Sequence, residues 1–339
     1  MTEKNWIIRA YEPGDEEGIV SLFNEVFSEV NPDFEHRTMD EWYWQFRDSP
    51  LGNQTSVAID DDGKVIGQYT SIPFPTWLRG EVQVTSQIVD SCVAAEYRRS
   101  LKREGVFLSV ATRYFDIFAY GHPTVLCYGY PVPNAQRIGV RFLGYIPVLT
   151  PVQKMINILD EERVTIMRNK AAEAGVEVQE VKRFDDRVDA LWERLKPGIG
   201  YSLVRNARFY NWRYCDHPRV DYHCLIALRD GEMAGLLVYR LGWINDKITP
   251  IVDLLSDPDD EPVQAQLTAA AARHAIDSGN PRLEMWLPPN GRWFRTFPSY
   301  GFVQENTRFN MINRLFGDWM NEEWLMANYF FCMGDSDIY

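Results

Sequence analysis

The hydrophobic pattern changes character most sharply between residues 88 and 118. Residues 88–93 form a short apolar run of the kind that makes a buried strand. A polar and basic stretch follows, and it ends at Gly105. From Val106 onward apolar residues recur at helical spacing, as Val110, Ala111 and Tyr114. The pattern therefore predicts a strand, a cationic loop and a helix that begins just after a glycine.

The pattern around this stretch predicts further strands and helices in the first half of the chain. Asp15 is a candidate N-cap for an amphipathic helix, and an aromatic-rich helix is expected within 38–47. Short strands are predicted at 6–10, 56–59, 64–70 and 82–87. The Asp-Asp-Gly turn at 61–63 joins two of them into a hairpin.

The same order of features returns in the second half of the chain, so that Arg37 and Arg205, for example, are 168 positions apart. The residues repeated at this displacement are Arg37, Trp44, Asp48, Pro50, Asp62, Gly63 and Gly67, with Arg205, Trp212, Asp216, Pro218, Asp230, Gly231 and Gly235. Ile88-Val89-Asp90 also recurs, as Ile251-Val252-Asp253. We interpret these matches as two copies of one αβ unit, at about 1–150 and 178–312. The segment 151–177 would connect them, and the aromatic tail 313–339 would pack on the body.

Composition and charge narrow the function classes. The 339 residues carry a formal net charge of −13, which argues against a nucleic-acid-binding surface. No apolar run approaches the roughly 20 residues that cross a bilayer, and the N-terminus has no hydrophobic signal region, so no membrane association and a cytoplasmic location are expected. The five dispersed cysteines are expected to be reduced thiols. Nothing in the sequence predicts the oligomeric state.

The basic loop before Gly105 is an exception to this acidic composition. A helix N-terminus offers unpaired N–H groups and a positive dipole end, and arginines add charge and paired donors. Such a strand, loop and helix start could hold a phosphate group. The alternative is an ordinary connection with a solvated charged loop, which short motifs of this kind do not exclude. The second copy favours the phosphate hypothesis, because it keeps the strand but has an acidic loop at 256–261.

Taken together, these elements resemble the GNAT superfamily of acyl-CoA-dependent N-acyltransferases, and the resemblance covers nearly the whole chain as a tandem. The quoted motifs are the strand at 88–93, the loop entry Tyr97-Arg98-Arg99, the turn from Lys102 to Phe107, Asn134 at a helix start and the pair Gly144-Tyr145. The resemblance implies an α/β (α+β) fold with two GNAT-like units, each a mixed, mostly antiparallel sheet flanked by helices.

The same resemblance implies coenzyme A or acetyl-CoA as co-substrate, no metal, and direct acyl transfer to a small-molecule amine acceptor. It places the thioester carbonyl at the backbone of Cys92 and Val93. The residues it assigns to coenzyme binding are Cys92, Val93, Arg98, Arg99, Lys102, Arg103, Glu104, Gly105, Val106, Phe107 and Asn134.

Three departures from the family pattern stand out. Phe107 replaces the last glycine of the motif, where it could crowd the coenzyme or point into the core. Val140 lies near the position where the family often has a tyrosine acid. The acids of the loop 256–261 would repel a pyrophosphate, so we expect the second copy to be a degenerate unit that binds no coenzyme there.

The catalytic groups are less determined than the coenzyme site. Asp90 could accept the amine proton or could be a structural carboxylate, and its repetition as Asp253 favours the structural role. Tyr128 and Tyr130 are candidate acids for the thiolate, or else packed aromatic residues. Tyr339 could supply a terminal carboxylate as base, although a tail that only packs is the simpler interpretation.

Cysteine and metal chemistry are less favoured. Cys92 with His122 as base would make a nucleophile, but most buried cysteines are inert and the resemblance implies direct transfer. Cys215, His217, His223 and Cys224 are close in sequence, but adjacent strand residues point to opposite faces and do not suit one zinc ion.

The leading hypothesis is thus an acyl-CoA-dependent N-acyltransferase. Two alternatives stay open. One is a non-catalytic binding or regulatory protein of the same fold. The other is a doubled transferase that uses a different acyl donor, such as aminoacyl-tRNA, against which the −13 charge weighs.

Overall fold

The computed structural model describes residues 5–31, 33–98, 105–148, 152–171, 175–243, 247–287, 292, 295–317 and 321–338. The strands in this part of the chain are β1 (Trp6–Ala10), β2 (Gln54–Asp60), β3 (Val65–Leu78), β4 (Glu81–Val93), β5 (Thr124–Gly129), β6 (Ile146–Pro147), β7 (Gln153–Ile158), β8 (Val176–Val181), β9 (Tyr201–Leu203), β10 (His223–Arg229), β11 (Glu232–Tyr239), β12 (Ile248–Ser256), β13 (Arg282–Leu287), β14 (Val303–Asn306) and β15 (Ile312–Leu315).

The α-helices in the same residues are α1 (Glu16–Val30), α2 (Met39–Trp42), α3 (Val106–Phe118), α4 (Pro133–Phe142), α5 (Glu161–Ala171), α6 (Arg187–Leu195), α7 (Ala207–Tyr210), α8 (Glu261–Asp277) and α9 (Glu322–Asn328). A π-helical turn continues α2 over Tyr43–Arg47, and another continues α7 over Asn211–Cys215. Short 3₁₀ turns include Ala95–Tyr97 and Met333–Asp335.

The chain divides into two compact units. Unit 1 comprises Met1–Pro75, Gln83–Val148 and Met311–Met320. Unit 2 comprises Thr76–Val82, Leu149–Asn310 and Asn321–Tyr339.

The sheet of unit 1 has the strand order β1-β2-β3-β4-β5-β15-β6. Its ladders with a described register are antiparallel, except that β4 and β5 run parallel. The helix α3 packs its apolar face on this sheet, and the residues of that face are Val106, Val110, Ala111, Tyr114 and Phe115. This packing fixes the point at which α3 begins relative to β3 and β4.

The sheet of unit 2 has the order β14-β7-β13-β12-β11-β10-β8, with β12 and β13 parallel and the other ladders antiparallel. The short strand β9 pairs with Thr76–Leu78, the end of β3 that belongs to unit 2. The helix α8 buries an alanine-rich face. The predicted two-unit α/β architecture is confirmed.

The internal repeat extends to the bounds of individual helices. The helix α7 and its π-helical turn have the same bounds as α2 and its turn when these are shifted by 168 positions. Their N-caps are equivalent too, because Thr38 accepts a hydrogen bond from the N–H of Glu41 and Asn206 accepts one from the N–H of Phe209. Local capping therefore specifies the same helix start twice.

Several expectations about the elements need correction. Residues 82–93 form one strand, β4, rather than two. Asp15 precedes α1, but its side chain makes no cap hydrogen bond and instead binds Arg9. Residues 151–177 were expected to connect the units, yet they include β7 and α5 of unit 2. The expected tail at 313–339 begins within β15, which pairs with β5 in unit 1.

None of the helices in the described residues is both long and apolar enough to cross a membrane.

Candidate functional site

The parallel strands β4 and β5 separate part-way along their length. Their described pairing runs from Val84 opposite Thr124 to Gln87 opposite Tyr128. Beyond Gln87, β4 continues for six residues, to Val93. Asp90, in this continuation, has a positive φ of 53°. That backbone is unfavourable for most side chains but is tolerated by Asp, so β4 is kinked beyond its last described pair with β5.

The helix α3 begins directly after this divergence. Gly105 is its N-cap, with extended backbone, and no side chain of the described residues caps it. Its first N–H groups and the positive end of its dipole are therefore available to an anion. This is the helix start at which the sequence predicts a phosphate site.

Gly67 of β3 lets the start of α3 approach the sheet. A Cβ atom at residue 67 would lie 2.7 Å from Cγ1 of Val106 and 3.4 Å from Cγ2 of Val93. Contacts below 3.0 Å force a shift, so a side chain here would push the helix start away from β4. Gly67 thus brings together two of the predicted coenzyme residues, Val93 and Val106.

The basic loop is only partly within the described residues. Arg98 donates from Nε to the carbonyl oxygen of Val93 at 2.7 Å and from Nη1 to Glu29 at 2.6 Å. Its ion pair with Glu29 lies at the surface, where such pairs contribute about 1 kcal/mol or less. A phosphate could replace Glu29 at little cost. Arg99, Lys102, Arg103 and Glu104 lie outside the described residues.

The remaining residues of the predicted cradle are packed rather than exposed. Burial raises the pKa of the Cys92 thiol, which keeps it protonated and disfavours a nucleophilic role. Val93 and Val106 are buried in the core of unit 1. The Phe107 ring packs against this core, 6.0 Å from the ring of Tyr69 in an edge-to-face arrangement. Of the two possibilities for Phe107, the structure shows the one that points inward.

Asp90 lies in an ion pair with Arg37, a residue to which sequence reasoning assigned no role. Arg37 Nη1 contacts one carboxylate oxygen, and Nη2 lies 3.4 Å from the other. The guanidinium stacks on the ring of Phe23 at 3.9 Å. The backbone carbonyl of Asp90 accepts a hydrogen bond from Nε2 of Gln68 at 2.8 Å. The arginine and the aspartate were both visible in the repeat, which was the available signal.

The predicted acids lie at the end of β5. Tyr128 is fully buried, and Tyr130, just beyond the strand, is half-buried, with 6.4 Å between the ring centroids. Asn134, in the first turn of α4, is exposed and accepts a hydrogen bond from Arg137. Val140 is exposed on the same helix. Tyr339 lies outside the described residues.

A family model of the acetyltransferase (GNAT) domain matches residues 7–142, a range that covers most of unit 1. Solved structures with the same two-unit fold match over nearly the whole chain. A protein from Enterococcus faecalis V583, described as a probable N-acyltransferase, is 13% identical, with a TM-score of 0.67 over 92% of this chain and 73% of that chain. Residues 7–142 thus carry a GNAT domain, and the chain as a whole shares its two-unit fold with a solved tandem GNAT protein.

Two further solved structures also match the chain over nearly its whole length. A tandem GNAT protein from the clavulanic acid biosynthesis pathway is 13% identical, with a TM-score of 0.56 over 93% of this chain and all of that chain. N-myristoyltransferase of Saccharomyces cerevisiae, solved with bound myristoyl-CoA, is also 13% identical, with a TM-score of 0.55 over 93% and 83%. At such identities the likeness concerns the fold alone. A search of curated proteins gave no match.

In unit 2 a side chain of the protein caps the equivalent helix start. Asp260 is the N-cap of α8, and its carboxylate accepts a hydrogen bond from the N–H of Val263. The same carboxylate pairs with Arg229 through two bonds of 2.6 and 2.9 Å. Gly235 repeats Gly67 here, because a Cβ atom there would lie 2.7 Å from Cγ1 of Val263. The helix approaches the sheet in the same way, but a protein carboxylate occupies its N-terminus.

The C-terminal segment also packs within unit 2. Arg205 donates to Asp253 and to Asp335, and all three side chains are fully buried. Gly334 fits against Tyr214 and the carbonyl oxygen of Val252, since a Cβ atom there would lie 1.8 Å from the Tyr214 hydroxyl. Sequence reasoning expected a packed tail but did not identify Asp335 as its anchor.

Metal ligation finds no support in the described residues, where no group of three or more His, Cys, Asp and Glu side chains is arranged to hold an ion. Cys215 instead lies within hydrogen-bonding reach of Cys224, and that contact lowers the pKa of Cys215.

Proposed function

We propose that this protein is an N-acyltransferase that binds an acyl-CoA, such as acetyl-CoA, in unit 1 and transfers the acyl group directly to an amine. The observation that carries the proposal is the uncapped start of α3 beside the end of β4 that has separated from β5. An open helix N-terminus stabilises a pyrophosphate, and unpaired strand N–H groups can hold a thioester carbonyl. The family match over residues 7–142 supports the same unit.

In this proposal the backbone at Cys92 and Val93 orients the thioester. The amine nitrogen bonds to the carbonyl carbon, the carbon–sulfur bond breaks, and the proton lost by the amine is balanced by one gained by the thiolate. Tyr130 is the better candidate donor to the thiolate, because it lies just beyond the end of β5, whereas Tyr128 is fully buried within the sheet. Asp90 is the candidate acceptor of the amine proton, with Arg37 holding its carboxylate in place.

Binding and transfer should be tested on the full chain. Titration calorimetry with coenzyme A and with pantetheine, which lacks the pyrophosphate together with the 3′-phosphoadenosine, should show that coenzyme A binds at least about a hundredfold more tightly, because pantetheine has no anionic group for the helix start to bind. Release of thiol from acetyl-CoA in the presence of amines would then report transfer. No binding of millimolar coenzyme A, or equal binding of pantetheine, would overturn the proposal.

A further inference from the structure

In each unit an arginine pairs with the aspartate of an Ile-Val-Asp sequence, which lies on β4 in unit 1 and on β12 in unit 2. In unit 1 these are Arg37 and Asp90, and in unit 2 they are Arg205 and Asp253. Both arginines come one residue before the N-cap of the equivalent helix, Thr38 or Asn206. The two pairs are therefore equivalent sites of the repeat, and differences between their surroundings can be compared directly.

In unit 2 the arginine binds a second carboxylate. Nη1 of Arg205 donates to Asp253, and Nη2 donates to Asp335, whose carboxylate also accepts the N–H of Cys332 at 2.6 Å. The Cys332 thiol in turn lies at the backbone N–H of Leu254, the residue after Asp253 on β12. The last turn of the chain thus lies in this site as a carboxylate ligand would.

In unit 1 no second carboxylate of the described residues pairs with the equivalent arginine. Among the described residues, Asp90 is the one carboxylate that pairs with Arg37, and Nη2 makes only the long 3.4 Å contact with it. The side chain of Arg37 is 16% exposed, whereas that of Arg205 is 0% exposed. Arg37 can therefore accept a carboxylate from a ligand where Arg205 has already received one from the chain.

The strand beside each arginine–aspartate pair also differs between the units, because it carries polar side chains in unit 1 and apolar ones in unit 2. Gln68 and Thr70 of β3 are buried, and within the described chain Gln68 Oε1 and Thr70 Oγ1 have no hydrogen-bond partner. Buried polar atoms without partners are rare and call for a ligand or water. Shifted by 168 positions, these residues are Leu236 and Val238, both apolar. The unit whose site is filled by its own tail has no such polar groups there.

The aspartates also differ in the donors they receive. Asp253 accepts hydrogen bonds from the hydroxyls of Tyr210 and Tyr214, at 3.2 and 2.9 Å. The equivalents of these tyrosines in unit 1 are Trp42 and Phe46, which carry no hydroxyl. Among the described residues Asp90 has Arg37 as its side-chain partner, so its carboxylate keeps acceptor capacity for the N–H groups of an amine.

We propose that the acyl acceptor of unit 1 is an amine that also carries a carboxylate, as in a free amino acid or an ω-amino acid. Its carboxylate pairs with Arg37 as Asp335 pairs with Arg205, and its amine donates to Asp90 and to the unpaired oxygens of Gln68 and Thr70. This inference rests on the proposed function and names the class of acceptor for the same site.

The test compares acceptors that differ only in the carboxylate. Glycine, β-alanine, γ-aminobutyrate and the common L-amino acids are each paired with their primary amides, at saturating acetyl-CoA. We expect at least one acid to be acetylated with a kcat/KM about tenfold or more above that of its amide, because removing the charge leaves Arg37 unpaired. That acid, but not its amide, should also raise the melting temperature of the coenzyme A complex.

A substitution of Arg37 tests whether this side chain causes the preference for the acid over its amide. Arg37→Lys keeps the charge beside Asp90 but loses the paired N–H donors, so kcat/KM should fall for both acceptors, and about tenfold further for the acid than for its amide. The control is Arg47→Gln, an exposed arginine of the same unit that pairs with Asp48, and it should leave the preference unchanged. If Arg37→Lys does not fold, the comparison of acids and amides in the unmodified protein still decides.

Coenzyme A binding is measured first and without acceptor, which separates the two proposals. Failure to bind coenzyme A would refute the proposed function itself. Binding of coenzyme A together with equal use of acids and amides, or with no acid bound or acetylated, would overturn the acceptor assignment alone.

Discussion

The two units of this chain share a backbone plan and differ in what occupies the start of one helix. In both, a glycine of the sheet, Gly67 or Gly235, lets the helix press against the strand. Gly105 leaves the N-terminus of α3 uncapped by the described residues, whereas Asp260 fills that of α8 with a carboxylate. The fold therefore does not require an open helix start, and its presence in unit 1 is best explained by a ligand.

The same contrast holds at the arginine–aspartate pairs. Unit 2 surrounds Arg205 and Asp253 with its own tyrosines and with Asp335, while unit 1 leaves Arg37 partly exposed. The contacts that Arg205 and Asp253 make within unit 2 therefore indicate which contacts a ligand could make in unit 1. Because both copies have the same secondary-structure elements, the differences between the two sites can be attributed to the groups that fill them.

The largest effect is expected from disturbing the tail of unit 2. In Gly334→Ala the new methyl group would overlap the hydroxyl of Tyr214, which cannot move without losing its bond to Asp253. We expect a loss of about 3 kcal/mol or more in the free energy of unfolding, because the tail must shift away from the buried Arg205. Chemical denaturation measures this loss.

The matched control for this change is Gly198→Ala in the same unit. Its Cβ atom would meet only Arg292 Nη1, at an ordinary 3.7 Å. It should alter stability by less than about 0.5 kcal/mol. Equal stability of the two variants would contradict the docking of Met333–Asp335 described here.

The next effect concerns the open helix start of unit 1. Gly105→Asp copies the acidic cap of unit 2 and should weaken coenzyme A binding about a hundredfold or more, since its charge would lie where the pyrophosphate binds. Gly105→Asn has nearly the same shape without the charge and should weaken binding by clearly less. Calorimetry of both variants, with circular dichroism to check folding, measures the difference. Similar affinities for Asp and Asn would argue against a phosphate at this helix.

A smaller effect is expected from pH, through Asp335. Burial raises the pKa of this carboxyl to about 6, an increase that Arg205 only partly offsets. A carboxyl group whose pKa is higher in the folded protein stabilises the fold at low pH, and this contribution is lost as pH rises from about 4 through 6. The unfolding free energy of the wild type relative to Asp335→Asn should therefore fall by on the order of 2 kcal/mol between pH 4.5 and pH 7.5. A flat or rising difference would disprove this assignment.

Apart from the controls, the smallest loss of stability is expected for substitutions of two equivalent glycines, one in each unit. Gly67→Ala and Gly235→Ala each place a methyl group 2.7 Å from a valine Cγ1 at a helix start. Each should cost about 1–2 kcal/mol of stability, measured by thermal unfolding. Coenzyme A binding should separate them, with about tenfold weaker binding for Gly67→Ala and unchanged binding for Gly235→Ala. If Gly235→Ala weakened binding and Gly67→Ala did not, the coenzyme would bind in unit 2, contrary to the proposal.

Local signals predicted much of the fold. The strand at 6–10 has its expected bounds, and the repeated helices follow their caps at Thr38 and Asn206. The strand β15 was missed, because its four residues depend on pairing with β5, nearly two hundred positions earlier in the chain. The segment 151–177 was misread as a connection for the same reason, since β7 gains its strand partners, β13 and β14, from far along the sequence.

In the candidate site too, features that depend on neighbouring residues could be predicted from the sequence, whereas contacts between distant residues could not. The open start of α3 could be predicted from Gly105 and the residues next to it, all of which are close in sequence. The partner of Asp90 could not, because Arg37 is 53 positions away and only the folded sheet brings them together. Likewise, the need for a glycine at 334 depends on Tyr214 and Val252, which no local pattern reveals.

A crystal structure of the full chain with coenzyme A would show directly which helix start binds the pyrophosphate. We expect one coenzyme per chain, with its pyrophosphate at the N–H groups of Gly105–Phe107 and with the start of α8 at Asp260 holding no phosphate. A pyrophosphate bound at α8, or a coenzyme bound away from the start of α3, would contradict the assignment of the coenzyme site to unit 1.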